Sequence, residues 1–210
     1  MKFFPTLTEV KEIAKTGKYD ILPVSCEILS DFITPIEAMR ILQNVSTHCY
    51  LLESAQANEA WGRYTFLGYD PKLEINCIDG HMKLGKLSVE TDNPSEYIRQ
   101  ILSEYKSPKF DYLPSFTGGL VGYFSYDYLG YKEKSIRGKA RDTEDFKDVD
   151  LMLFDKVIAF DNLCQKIILI ANMPLDAPET GYNKAIVELK QLRELLMHGE
   201  KKQNMGGKLL

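Results

Sequence analysis

Apolar residues recur along this chain at two periods, and the switches between them mark out its elements. In residues 8–15, Val10, Ile13 and Ala14 share one helical face, and Gly17 stands where a helix would stop. Residues 19–28 carry Tyr19, Ile21, Val24 and Ile28, a strand composition. Pro23 pushes that strand toward a sheet edge, because proline brings no N–H to a ladder. Thr34, Pro35 and Glu37 then supply a cap, a first-turn proline and a capping-box acid. The helix they open presents Ile36, Met39, Ile41 and Leu42 as its apolar side.

Strand-type runs follow at 48–53 and 63–69. Residues 72–78 and 81–89 read as one hairpin turning at Asp79-Gly80, a pair suited to the positive φ of a tight turn. Asn93-Pro94-Ser95-Glu96 repeats the helix-opening pattern ahead of Tyr97, Ile98, Ile101 and Leu102. Residues 131–150 form a long polar excursion. Two strong strands, 151–160 and 166–171, flank a turn at 161–165. The longest helix, 179–198, buries a stripe of Ala185, Ile186, Leu189, Leu192 and Leu196. Residues 199–210 lose all apolar period and read as a linker after a domain spanning 1–198, with the chain expected to be a fragment of a longer protein. Hairpins without regular β-α-β alternation predict an α+β fold, mainly antiparallel sheets packed with helices.

Two stretches depart from plain element-building. The first is Tyr50-Leu51-Leu52-Glu53-Ser54, a polar loop, and then a strand opening at Trp61, the sole tryptophan. A strand that runs out of an apolar interior and ends on a carboxylate and a hydroxyl is either a ligand rim or a solvated strand end. The second is Phe116-Thr117-Gly118-Gly119-Leu120-Val121-Gly122-Tyr123-Phe124-Ser125-Tyr126-Asp127. Its glycines permit close approach of a backbone or a ligand. No helix pattern follows it, so it is not a dinucleotide loop, and a tightly packed central strand accounts for it as well.

The 210 residues are 44% hydrophobic and 27% charged, enough to bury a sizeable core. A net charge of −4, without a sustained basic face, argues against a nucleic-acid partner. Cys26, Cys49, Cys77 and Cys164 lie far apart and share no metal-ligand spacing with His48, His81 or His198. They read as reduced thiols of a soluble, cytoplasmic protein with no membrane-spanning run. The acids Asp142, Glu144, Asp145, Asp148 and Asp150 read as a solvated loop rather than a metal site. No nucleophile elbow, phosphate loop or zinc motif is present.

The sequence Leu51-Leu52-Glu53-Ser54 followed by Trp61-Gly62-Arg63-Tyr64-Thr65-Phe66-Leu67-Gly68 resembles the N-terminal region of anthranilate synthase component I, and the stretch from Gly118 to Asp127 resembles its second hallmark. The resemblance extends over essentially the whole chain. It implies an enzyme of tryptophan biosynthesis that makes anthranilate and pyruvate from chorismate, with magnesium and a glutamine amidotransferase partner (component II). In that family the chorismate and magnesium residues lie in a C-terminal half, so this chain is expected to hold no catalytic residue, cofactor or metal of its own. What the resemblance places here is feedback inhibition by L-tryptophan. Ser54 matches the serine of that site, Glu53 suits the effector's ammonium, Leu52 would wall the indole, and Arg63 is a candidate for the carboxylate. Two alternatives stay open: the folate-branch relative aminodeoxychorismate synthase component I, and a non-catalytic amino-acid-binding module.

Overall fold

The computed structural model describes residues 1–54, 62–133, 135 and 146–202. Its elements run α1 (Leu7–Lys15), β1 (Ile21–Leu29), α2 (Pro35–Val45), β2 (Cys49–Leu52), β3 (Tyr64–Tyr69), β4 (Leu73–Ile78), β5 (His81–Leu84), β6 (Leu87–Glu90), α3 (Pro94–Ser103), β7 (Gly119–Phe124), a 3-10 helix (Tyr126–Tyr131), β8 (Val149–Phe154), β9 (Lys156–Asp161), β10 (Lys166–Pro174) and α4 (Pro178–His198). This is the expected α+β fold, with two antiparallel five-stranded sheets. The contacts divide the chain into two compact units: Met1–Asp70, Ser107–Thr117 and Asp155–Leu210 form one, and Pro71–Lys106 with Gly118–Phe154 the other.

In the first unit the strand order is β1-β10-β9-β3-β2. Alternate residues of the central strand β10 serve two cores. Ile167, Leu169 and Ala171 join the core beneath α1, α2 and α4, whereas Ile168 and Ile170 join a second one with Leu113, Val157 and Ala159. A strand covered on both faces reads as a continuous apolar run, which is why residues 167–171 show no alternation. β1 takes the predicted edge, where Pro23 is tolerated, and Phe4 exchanges backbone hydrogen bonds with Ser25. Both N-terminal helices start with complete capping boxes, Thr6 with Glu9 and Thr34 with Glu37. The second was legible in the sequence. The first starts before the expected Thr8.

In the second unit the order is β6-β5-β4-β8-β7, and α3 contributes Ile98 to a core of Ile75, Cys77, Met82, Val149 and Leu151. Asp79 and Gly80 hold φ of 48° and 85°, the tight turn expected of that pair. Three sequence readings need correction. Residues 81–89 are two strands, because Gly85, at φ 59°, turns the chain again between Leu84 and Leu87. Residues 151–160 are likewise two strands, β8 and β9, which break at Asp155 and join different sheets. Finally, β7 is an edge strand rather than a central one. Its glycines serve a close backbone approach all the same: a Cβ on Gly122 would sit 2.0 Å from the Asp150 carbonyl oxygen, at a φ of 151° that disfavours any side chain.

Candidate functional site

β2 is a strand of four residues. It is the edge strand beside β3, with Cys49 opposite Tyr69, Tyr50 opposite Gly68, Leu51 opposite Leu67 and Leu52 opposite Phe66. Pairing ends at Leu52–Phe66, and the chain leaves through Glu53 and Ser54, both exposed. Leu52 is itself 48% exposed. Trp61 and residues 55–60 lie outside the described residues, as do Asp142, Glu144 and Asp145.

Period-2 alternation places Leu51 and Leu67 against the helical core. It also puts Tyr50, Leu52, Tyr64 and Phe66 on the opposite face, where Phe116 meets Tyr50 and Phe66. Phe66 and Phe116 pack edge to face with ring centroids 5.6 Å apart, and Tyr64 lies 5.8 Å from Phe66. Tyr50 contacts Phe116 at 6.4 Å and covers Gly68, where a Cβ would approach its ring to 2.2 Å. Phe66 and Phe116 are half-buried, so Leu52 ends its strand beside an aromatic row that is partly open. The sequence reading missed this row as a unit. Alternation in residues 64–68 was visible, but Phe116 comes from a distant segment and only the fold brings it in.

Arg63 lies beyond the same end of the β2–β3 pair. Its Nε donates to Asp161 Oδ1 at 3.1 Å and its Nη2 to Asp161 Oδ2 at 2.6 Å, a bidentate pair closing on a carboxylate only 4% exposed. Nη2 also reaches Cys164 Sγ at 3.6 Å, and the guanidinium carbon stands 4.9 Å from the Tyr64 ring centre. The Asp161 hydrogen bond raises the Arg63 pKa further. Burial opposes charge on Asp161, but its hydrogen bonds from Arg63 and the Cys164 amide prevail and hold its carboxyl below the usual range. Asp161 Oδ1 also accepts from the Leu163 and Cys164 amides, and the Asn162 amide donates to the Arg63 carbonyl. The β9–β10 turn therefore grips the chain where it enters β3. Of the four proposed effector residues, the fold keeps Leu52, Glu53 and Ser54 together at the strand end. Arg63 is committed mainly to Asp161; its Nη1 group makes none of these contacts.

Among the described residues no group of three or more His, Cys, Asp or Glu side chains is arranged to hold a metal ion, and no helix is long and apolar enough to cross a membrane. Asp148 accepts instead from the Tyr131 hydroxyl and the Asp79 amide, while Asp150 pairs with Lys147. All four cysteines are free thiols, with Cys164 alone exposed.

No family model matches the chain. It is 34% identical over 200 residues to anthranilate synthase component 1 of Acetivibrio thermocellus, a match covering 92% of this chain and 40% of that protein. The Pseudomonas aeruginosa protein of the same name is 34% identical over 196 residues, 90% of this chain and 39% of its own length. The chloroplastic anthranilate synthase alpha subunit 2 of rice is 34% identical over 183 residues, covering 79% of this chain and 30% of the relative. The crystal structure of anthranilate synthase component I from Streptococcus pneumoniae superposes with a TM-score of 0.51 at 26% identity, over 79% of this chain and 36% of that one. The chain thus spans about 30–40% of the length of these curated relatives.

Proposed function

This chain belongs to the anthranilate synthase component I family, its match covering 92% of its length, and on that premise we propose that it is the tryptophan-sensing region of such an enzyme. By this reading the whole protein converts chorismate to anthranilate and pyruvate, with ammonia from a glutamine amidotransferase. Chemistry and magnesium then belong to the chorismate-binding part of the family's fold. No step of the proposed role runs through magnesium.

The observation that carries the reading is the end of β2. Leu52, Glu53 and Ser54 emerge exposed beside the half-buried aromatic row of Phe66 and Phe116. An indole needs apolar and aromatic walls, which Leu52 and this row supply. An α-ammonium needs a carboxylate, which Glu53 supplies. An α-carboxylate needs donors, and the Ser54 hydroxyl and Arg63 Nη1 are of that chemistry. Inhibition follows if tryptophan binds the low-activity arrangement more tightly than the active one. Linkage then requires chorismate to weaken tryptophan binding by the same factor.

The test is a titration of the 210-residue chain with L-tryptophan, followed by backbone amide shifts, with Ser54→Ala as control. Saturable shifts at 52–54 that Ser54→Ala abolishes support the reading. No saturable shift in a folded sample, alone or with a relative's chorismate-binding part added in trans, refutes it.

A further inference from the structure

A concave site lies elsewhere in the first unit, between α1 and the segment 107–117. The cleft has a volume of about 370 Å³, and Phe4, Glu9, Glu12, Ile13, Phe110 and Tyr112 are among the residues that line it. That volume lies in the range of small-molecule pockets. It shares no residue with the end of β2.

Three of the lining residues are aromatic. Phe110 and Tyr112 stack at 5.1 Å and 23°, and Phe4 stands against Tyr112 at 6.2 Å and 57°, so the rings form a corner rather than a closed sandwich. Phe4 and Tyr112 each remain 46% exposed. Two exposed carboxylates, Glu9 and Glu12, also line the cleft. Glu9 and Glu12 are three residues apart on α1 and so project from neighbouring positions of one helix face. Burial, with the Glu9 charge adding to it, pushes the Tyr112 phenol up to about 12.

Glu9 gives Oε2 to the capping box, accepting from the Thr6 amide and hydroxyl. Glu12 holds Lys15 at 2.7 Å in a pair exposed on both sides, the kind of contact that contributes little and exchanges readily. Aromatic faces and carboxylates attract the same class of ligand: a cation on an apolar body, stabilised by the ring quadrupoles and by opposite charge. They repel an anion. From this juxtaposition of three rings and two carboxylates we propose that the cleft binds a small arylalkylammonium ion, an amine without a carboxylate. A free amino acid would bring its own carboxylate against Glu9 and Glu12.

Amide shifts of the 210-residue chain test this against three probes: phenethylammonium, its neutral counterpart 2-phenylethanol, and L-tryptophan. Phenethylammonium should shift Phe4, Ile13, Phe110 and Tyr112 saturably and bind about five- to tenfold tighter than the alcohol. L-Tryptophan should leave these four amides unmoved, whether or not it shifts residues 52–54. The Glu9→Gln/Glu12→Gln double variant should abolish the preference for the amine; Gln at position 9 retains the capping box, so the helix persists. Tyr112→Leu, which keeps an apolar wall, should weaken the amine more than the alcohol. Equal binding of amine and alcohol overturns the proposal, as does a preference that survives in the double variant, or shifts of these amides by L-tryptophan.

Discussion

Replacing Arg63 by alanine tests how the chain is fixed where it enters β3. The substitution removes two charge-assisted hydrogen bonds, of 3.1 and 2.6 Å, from a carboxylate that is 4% exposed. Losing one partner of a fully buried pair costs about 3–5 kcal/mol. Here Arg63 is 37% exposed, and Asp161 retains hydrogen bonds from the Leu163 and Cys164 amides. Both facts reduce the loss, to about 2–3 kcal/mol. Urea unfolding at pH 7, followed by circular dichroism, measures it.

The pH dependence is diagnostic. Asp161 is held below its ordinary pKa, so its contribution is fully present above the unfolded value and is lost as pH falls through the folded one. In Arg63→Ala the carboxyl keeps its burial and loses its cation, so it takes up a proton at higher pH than in the parent. The stability difference should therefore be constant from pH 7 to about 5 and narrow between roughly pH 5 and 3. Adding Asp161→Asn to the variant should recover part of the loss, because a neutral amide costs less to bury than an unpaired carboxylate. A loss below about 1 kcal/mol at pH 7, or one that does not change with pH, would refute the reasoning.

Two further outcomes are expected. Gly68→Ala places a Cβ 2.2 Å from the buried Tyr50 ring, so that ring must move against Phe116, and tryptophan-induced shifts at 52–54 should weaken even where the chain stays folded by circular dichroism. Brief alkylation by iodoacetamide under native conditions, read by mass spectrometry, should label Cys164 first; Cys26, whose thiol burial pushes up to about 12, and the buried Cys77 should label only on unfolding, and early modification of Cys26 would contradict its placement in the core.

The sequence was most informative where the cause is local. The capping box at Thr34 and Glu37, the Asp79-Gly80 turn and the apolar stripe of α4 each depend on residues a few positions apart, and each appears as expected. Edge placement of β1 followed from Pro23 alone. The motif Leu51-Leu52-Glu53-Ser54 was equally legible, because the family resemblance rests on residue identity rather than geometry.

Readings went astray where residues distant in the chain decide the outcome. Nothing within 151–160 indicates that β8 and β9 serve separate sheets; the break at Asp155 is fixed by which strands pair on either side. The same holds for β7, whose glycines looked central yet serve an edge strand pressed against Asp150. Arg63 could be nominated from its charge and its closeness to Ser54 in sequence. Only folding brings Asp161, almost a hundred positions away, against its guanidinium. The aromatic row behind Leu52 and the corner of Phe4, Phe110 and Tyr112 are of the same kind. Local propensity and motif identity are properties of neighbours in the chain, whereas the partner of a charge or an aromatic face is chosen by long-range packing, which the linear sequence carries only implicitly.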